Sequence, residues 1–113
     1  MTDQDLLELA AMAYFGADGF EWNACSGYIE YIPTGSRSYA RWKPLTDDGD
    51  ALRLAVQLGL VVSVRACEEC PFIVVSPARQ LERHESSIVE EFGDDRFAST
   101  RRAIVRAAAK RWI

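Results

Sequence analysis

The sequence predicts an α+β fold: a small antiparallel sheet of about four to five strands packed with three helices as an α/β sandwich, in the order α-β-β-α-β-β-β-α. Three observations carry that expectation. Two apolar stripes at helical spacing begin with acidic first turns and end at Gly16 and Gly59. Aromatic and β-branched runs follow one another across short turns, as hairpin strands do. The closing stretch has helical periodicity with cations toward its end. With 49% of 113 residues hydrophobic, three Trp, four Tyr and five Phe among them, one core in a single domain over residues 1–113 needs no disulfide or metal to form.

The elements follow in order. Thr2 is a helix N-cap with Asp3 and Asp5 in the first turn, and Leu6, Leu7, Leu9, Ala10, Ala11, Ala13 and Tyr14 fill the helical spacings before Gly16. Residues Ala17 to Ser26 read as irregular, because Gly, Asn and Asp interrupt Phe20 and Trp22. "GYIEYI" (Gly27 to Ile32), the turn Pro33-Thr34-Gly35-Ser36 and the extended Arg37 to Trp42 predict a hairpin, which Pro44 ends. In "PLTDDGDALRLAVQLG" Thr46 is the expected cap, Asp47, Asp48 and Asp50 load the first turn, and Ala51, Leu54, Ala55 and Leu58 form the stripe. Leu60 to Arg65 and Phe72 to Ser76 read as strands, with Cys67 to Pro71 at the hairpin tip between them. Pro77 to Glu85 fits a helical turn or a solvated loop; Ser87 to Phe92 is a third strand of that meander. A helix from about Arg96 to Trp112 closes the chain, with Phe97, Arg101, Ile104, Val105, Ala108 and Trp112 on one side.

Charge and hydropathy exclude several function classes. A net charge of −4, from 13 basic and 17 acidic residues, disfavours a phosphate backbone, so nucleic acid is not an expected partner. The N-terminus is acidic before it is apolar, the reverse of a secretory signal. The longest apolar run, Leu58 to Val64, is too short to span a bilayer, so no membrane association is expected. Three cysteines without an export signal fit a cytoplasmic protein with reduced thiols.

The most chemically suggestive stretch is "ACEECPF", in which Cys67 and Cys70 stand at metal-clasp spacing. On a hairpin tip both sulfurs converge on one tetrahedral ion, and Cys25 with His84 would complete a Cys₃His zinc set. Against this, the third and fourth ligands are single residues remote in sequence, and Glu68 and Glu69 occupy positions where zinc knuckles favour small residues. A redox role fails on electrostatics, since flanking acids raise a thiol pKa and no helix N-terminus lowers it. The expected reading is an ordinary turn, with no metal and no cofactor. Cys25 and His84 as nucleophile and base lack any local motif, and a satisfied or exposed histidine accounts for His84.

"TDDGD" gathers three carboxylates, but a calcium loop starting there needs a bidentate Glu where Leu58 stands, and helix-dipole pairing explains the acids. There is no phosphate loop, no HExxH and no Gly-x-Ser-x-Gly, and no constellation supplies nucleophile, base and oxyanion donors together, so no enzyme is expected. Arg101, Arg102, Arg106, Lys110 and Arg111 put five cations in eleven residues; a solvated helix face is expected, with an anionic ligand as the alternative. The first hairpin interleaves Tyr28, Tyr31, Tyr39 and Trp42 with Arg37, Arg41 and Lys43. Aromatics beside cations can stack a base and hold its phosphate, which makes Tyr31, Tyr39, Arg41 and Trp42 candidate ligand-binding residues for a nucleotide-like molecule.

Trp42, Pro44, Asp50 and Ala51 in "WKPLTDDGDALRLAVQLGL", with Ala103, Ile104, Ala107 and Ala108 in "RRAIVRAAAKR", resemble the phage ABA sandwich domain family. The resemblance implies an α/β sandwich encoded by a phage or prophage, and it implies no catalytic residues; Cys67 and Cys70 lie outside its pattern. The expected function is therefore a non-enzymatic accessory protein that binds a host or phage protein in the host cytoplasm. The apolar tip Trp112-Ile113 suits such an interface, or a homo-oligomer through the C-terminal helix. A small-ligand binder is the alternative, and a zinc-stabilised module a lesser one.

Overall fold

Local hydrogen bonding at the two helix starts explains where the chain begins to coil. The computed structural model describes residues 2–65, 71–77 and 87–110. Helix α1 (Asp3–Phe15) opens with a reciprocal capping box: the Thr2 hydroxyl accepts the Asp5 N–H at 3.2 Å, and the Asp5 carboxylate accepts the Thr2 N–H at 2.8 Å. Helix α2 (Asp48–Leu58) is capped by Asp47 rather than by Thr46. The reason is the preceding turn, in which the Lys43 carbonyl accepts both the Thr46 and Asp47 N–H groups. That turn absorbs Thr46 and leaves the Asp47 carboxylate to accept the Asp50 N–H at 2.8 Å. Gly59, at φ 63°, supplies the left-handed cap and lets strand β4 start at the next residue.

The strands form two sheets of three, where one sheet of four to five was expected. The first is β1 (Glu21–Asn23), β2 (Tyr28–Tyr31) and β3 (Ala40–Trp42), all antiparallel in that order. The second is β4 (Leu60–Arg65), β5 (Phe72–Pro77) and β6 (Ile88–Glu91), also antiparallel. The α+β class with three helices stands, and β1 is the strand that the order lacked. It lies in the stretch expected to be irregular. Asn23 makes it a strand end: its side-chain oxygen accepts the Cys25 and Ser26 N–H groups, and its carbonyl accepts the Gly27 N–H at 2.8 Å. This turn brings Trp22 opposite Ile29.

Helix α3 (Arg96–Lys110) begins on Asp95, whose carboxylate accepts the Phe97 and Ala98 N–H groups. It packs against α1, α2 and the second sheet, and it buries Ala103, Ile104, Val105, Ala107, Ala108 and Ala109. Burial on so many sides needs small residues, and alanines at four of these positions let the neighbouring elements approach closely. Ala10 and Ala11 do the same on α1. One continuous apolar cluster runs from α1 through Ile29, Trp42 and Leu54 to Ile73 and Val75 and back to α3. Fully burying a Leu- or Ile-sized side chain contributes about 1.5–3 kcal/mol, so this cluster dominates the stability. Phe97, expected on the apolar side of α3, is instead exposed beside the helix start. Residues 66–70, 78–86 and 111–113 lie outside the described residues, and with them Cys67, Cys70, His84, the hairpin tip, most of the Pro77 to Glu85 segment, and Trp112-Ile113.

Candidate functional site

Strand alternation divides the four hairpin candidates. Register places Trp22, Ile29 and Trp42 in one cross-strand row and Glu21, Glu30 and Arg41 in the next, so the two rows point to opposite faces. Trp42 is only 2% exposed and stands against Tyr14 and Phe15, with ring centroids 5.6 and 5.2 Å away. Tyr31 lies on the same face, 4.8 Å from Phe15. These two belong to the packing between α1 and the first sheet. Arg41 is on the outer face, its guanidinium 4.9 Å from the centre of the Tyr28 ring. Tyr39 is exposed just before β3. The four side chains therefore do not share one surface, and the outer face of this sheet is polar, with Glu30 accepting a hydrogen bond from Asn23. The buried indole N–H of Trp42 has no acceptor among the described residues.

Cys25 is a free, exposed thiol on the loop between β1 and β2. Among the described residues no three His, Cys, Asp or Glu side chains gather closely enough to hold a metal ion. The zinc alternative rests on Cys67, Cys70 and His84, outside the described residues. The acids of "TDDGD" are engaged in structure: Asp47 caps, Asp48 pairs with Arg101, and Asp50 is buried, accepting the Lys43 N–H at 2.9 Å and an Arg53 N–H at 2.6 Å. That bond to Asp50 raises the Arg53 pKa further above its already high value.

The cationic stripe of α3 is not a plain solvated face. Arg101 donates from Nε to the Leu45 carbonyl at 2.9 Å and from Nη1 to Asp48 at 2.6 Å, with its side chain only 15% exposed. Arg102 donates Nη2 to Asp3 on α1 at 3.0 Å. Arg106 pairs with Glu90 on β6. One helix thus ties itself by charge to three other parts of the chain. Sequence periodicity found the arginines but had no means of pairing them with acids 16 to 99 residues away.

Two further features stand out among the described residues. The first is the outer face of the second sheet. Ile73, Val75 and Ile88 face the core and are buried, so register puts Val61, Val74 and Val89 on the opposite side, with Phe72 beneath the Arg65 guanidinium at 5.8 Å. Val89 is 58% exposed and Val61 37%. Ser63, Arg65, Ser76 and Glu91 share that face, so it is mixed, with the three valines as its apolar part. Strand β4 is an edge of this sheet, six residues long, with no proline, lysine or carboxylate to protect it. The second is a cleft of about 570 Å³ between the start of α1, β6 and the last turns of α3, lined by Leu6, Ile88, Glu90, Arg102 and Arg106 among others. No helix among the described residues is long and apolar enough to cross a membrane. No family model matches the chain, and comparison with curated proteins and with solved structures gives no match.

Proposed function

We propose that the chain is a non-enzymatic binding module, an accessory protein of a phage or prophage that engages a protein partner in the host cytoplasm through the second sheet. The observation that carries this is the group of valines on the outer face of that sheet, where Val61, Val74 and Val89 point away from the core and Val61 lies on the edge strand β4. A strand of the partner adding to β4 would pair with that edge beside Val61, and other parts of the partner would lie over Val74 and Val89, one and two strands further in. The family resemblance supports the same reading. Trp42, Pro44, Ala51, Ala103, Ile104, Ala107 and Ala108 are all buried, and Asp50 latches a loop, so the shared pattern specifies packing and leaves the outer sheet face to determine the partner.

The test is site-specific photo-crosslinking in bacterial extract. A crosslinking amino acid in place of Val89 should capture one defined protein, and the same group in place of Glu21, on the outer face of the first sheet, should not. Identical capture patterns at the two positions, or capture only of a second copy of this chain, would reject the reading. The nucleotide-like alternative has less to support it, since Trp42 is buried and Tyr31 is half-buried against Phe15 on the face opposite Arg41.

A further inference from the structure

Burial along strand β4 departs from what a covered edge would show. Register puts Val64 in one cross-strand row with Ile73 and Glu90, on the face of the second sheet that turns toward the core. Ile73 is fully buried, yet Val64 is 55% exposed. Val61 points to the opposite face and is 37% exposed. Strand β4 therefore shows an apolar side chain on each side of the sheet. The order β4-β5-β6 gives it a hydrogen-bonded neighbour on one side only among the described residues. In an antiparallel ladder every second residue then turns its N–H and C=O away from that neighbour, toward the place of a further strand. A strand laid there would flank both valines.

The sequence of β4 is complementary to itself. A continuous sheet keeps each face on its own side, so paired positions must differ by an even number of residues. Antiparallel pairing about a two-fold axis at Val62 meets that condition. It sets Val62 against Val62 of the second copy, Leu60 against Val64 and Val61 against Ser63. Every core-facing pair is then apolar, and the exposed Val64 gains a leucine beside it. No charge lies between Leu60 and Val64, and Arg65 of the two copies falls at opposite ends of the ladder. Parallel pairing would instead bring the two arginines side by side. We propose that β4 pairs in this way with β4 of a second copy, joining two three-stranded sheets into one of six, and that the pairing occupies the edge until a partner strand displaces it. Five residues a side is a fraction of the about 20–30 that a stable interface uses, so the dimer is weak and exchanges readily. Displacement rests on the proposed use of β4 by a protein partner; the pairing itself does not. Val89 lies two strands from this edge, so capture of a partner there reports separately from dimer formation.

Sedimentation velocity of the unmodified chain, from micromolar to millimolar concentration, should pass from monomer toward dimer. The register is tested by disulfide formation with Cys25, Cys67 and Cys70 replaced by serine. Val62→Cys should close an intermolecular disulfide under mild oxidation, because the two positions face each other across the axis. Val64→Cys should not, although Val64 is the more exposed of the two. The pairing sets the two Val64 positions four residues apart along the ladder, beyond the about 4.4–6.8 Å between Cα atoms that a disulfide spans. In the oxidised Val62→Cys dimer, partner capture by a crosslinker at Val89 should fall several-fold and return on reduction. A monomer at millimolar concentration overturns the pairing, as does a Val64→Cys disulfide forming as readily as the Val62→Cys one. Should a cysteine variant lose its fold, sedimentation of the unmodified chain decides the pairing alone. Undiminished capture by the oxidised dimer overturns the displacement. No capture at Val89 by a chain that dimerises through Val62 rejects the protein partner, and the displacement with it, and leaves the pairing standing.

Discussion

The Asp50 carboxylate, buried in the first turn of α2, accepts the backbone N–H of Lys43 at 2.9 Å and so fastens the end of β3 to the start of the helix. Trp42 immediately before is in the core, and Pro44 immediately after is buried, so the chain turns here with little freedom. Replacing Asp50 with Ala leaves the Lys43 N–H without its acceptor and removes the charged bond from Arg53. A loss of about 2–3 kcal/mol is expected, with a lower urea midpoint. Asp50→Asn keeps an acceptor and should recover more than half of that loss. Equal destabilisation by the two substitutions would mean that the charge, not the latch, is what matters.

Arg101 and Arg102 are neighbours in sequence and should behave very differently. Arg101 holds a backbone carbonyl and Asp48 from a nearly covered position, whereas Arg102 holds one exposed carboxylate. Arg101→Ala should cost about 2–3 kcal/mol and Arg102→Ala less than about 1 kcal/mol, read from denaturant unfolding. Arg101→Lys should remain destabilising, because a single ammonium does not reproduce the two-pronged grip on Leu45 and Asp48. Similar costs for both alanine substitutions would contradict the geometry.

What the sequence made legible follows from how local each determinant is. The N-cap at Thr2 with Asp3 and Asp5 in the first turn, the glycine stop at Gly59 and the bounds of β4 are set by residues within about one turn of each other, and the structure agrees with them. Three residues of β1 were not legible, because Trp22 becomes a strand residue only when the Asn23 turn folds it back onto Ile29. Nor does any pattern say whether β3 and β4 share a sheet, since α2 separates them and both antiparallel solutions bury the same faces. Alternation did imply that some hairpin aromatics point inward, but only the register shows that Trp42 and Tyr31 do so while Arg41 does not.

The capping box makes a pH prediction. The bonds from the Thr2 backbone and hydroxyl hold the Asp5 pKa below the ordinary aspartate value. A carboxylate with a lowered folded pKa stabilises the fold above its unfolded pKa of about 4, and the contribution disappears as pH falls through the folded value. The stability difference between wild type and Asp5→Ala should therefore be constant above about pH 5 and shrink steadily in stronger acid. Thr2→Ala should cost about 1 kcal/mol near neutrality through loss of the cap. A wild-type advantage that grows on acidification would reverse the sign and remove the box as its cause.

The outer sheet face separates binding from folding. Val89 points away from the core and is more than half exposed, while Val75, on the central strand, is fully buried. Val89→Thr keeps the β-branch that a strand prefers and removes one methyl from a position already in water, so stability should change by no more than about 0.5 kcal/mol. Val75→Thr puts a hydroxyl into the core and should cost about 1–3 kcal/mol. If the face recognises a protein, Val89→Thr should weaken partner capture at unchanged thermal midpoint, and Val61→Thr, on the edge strand, should do the same. Loss of capture accompanied by an equal loss of stability would instead mean that these valines are covered by the chain itself.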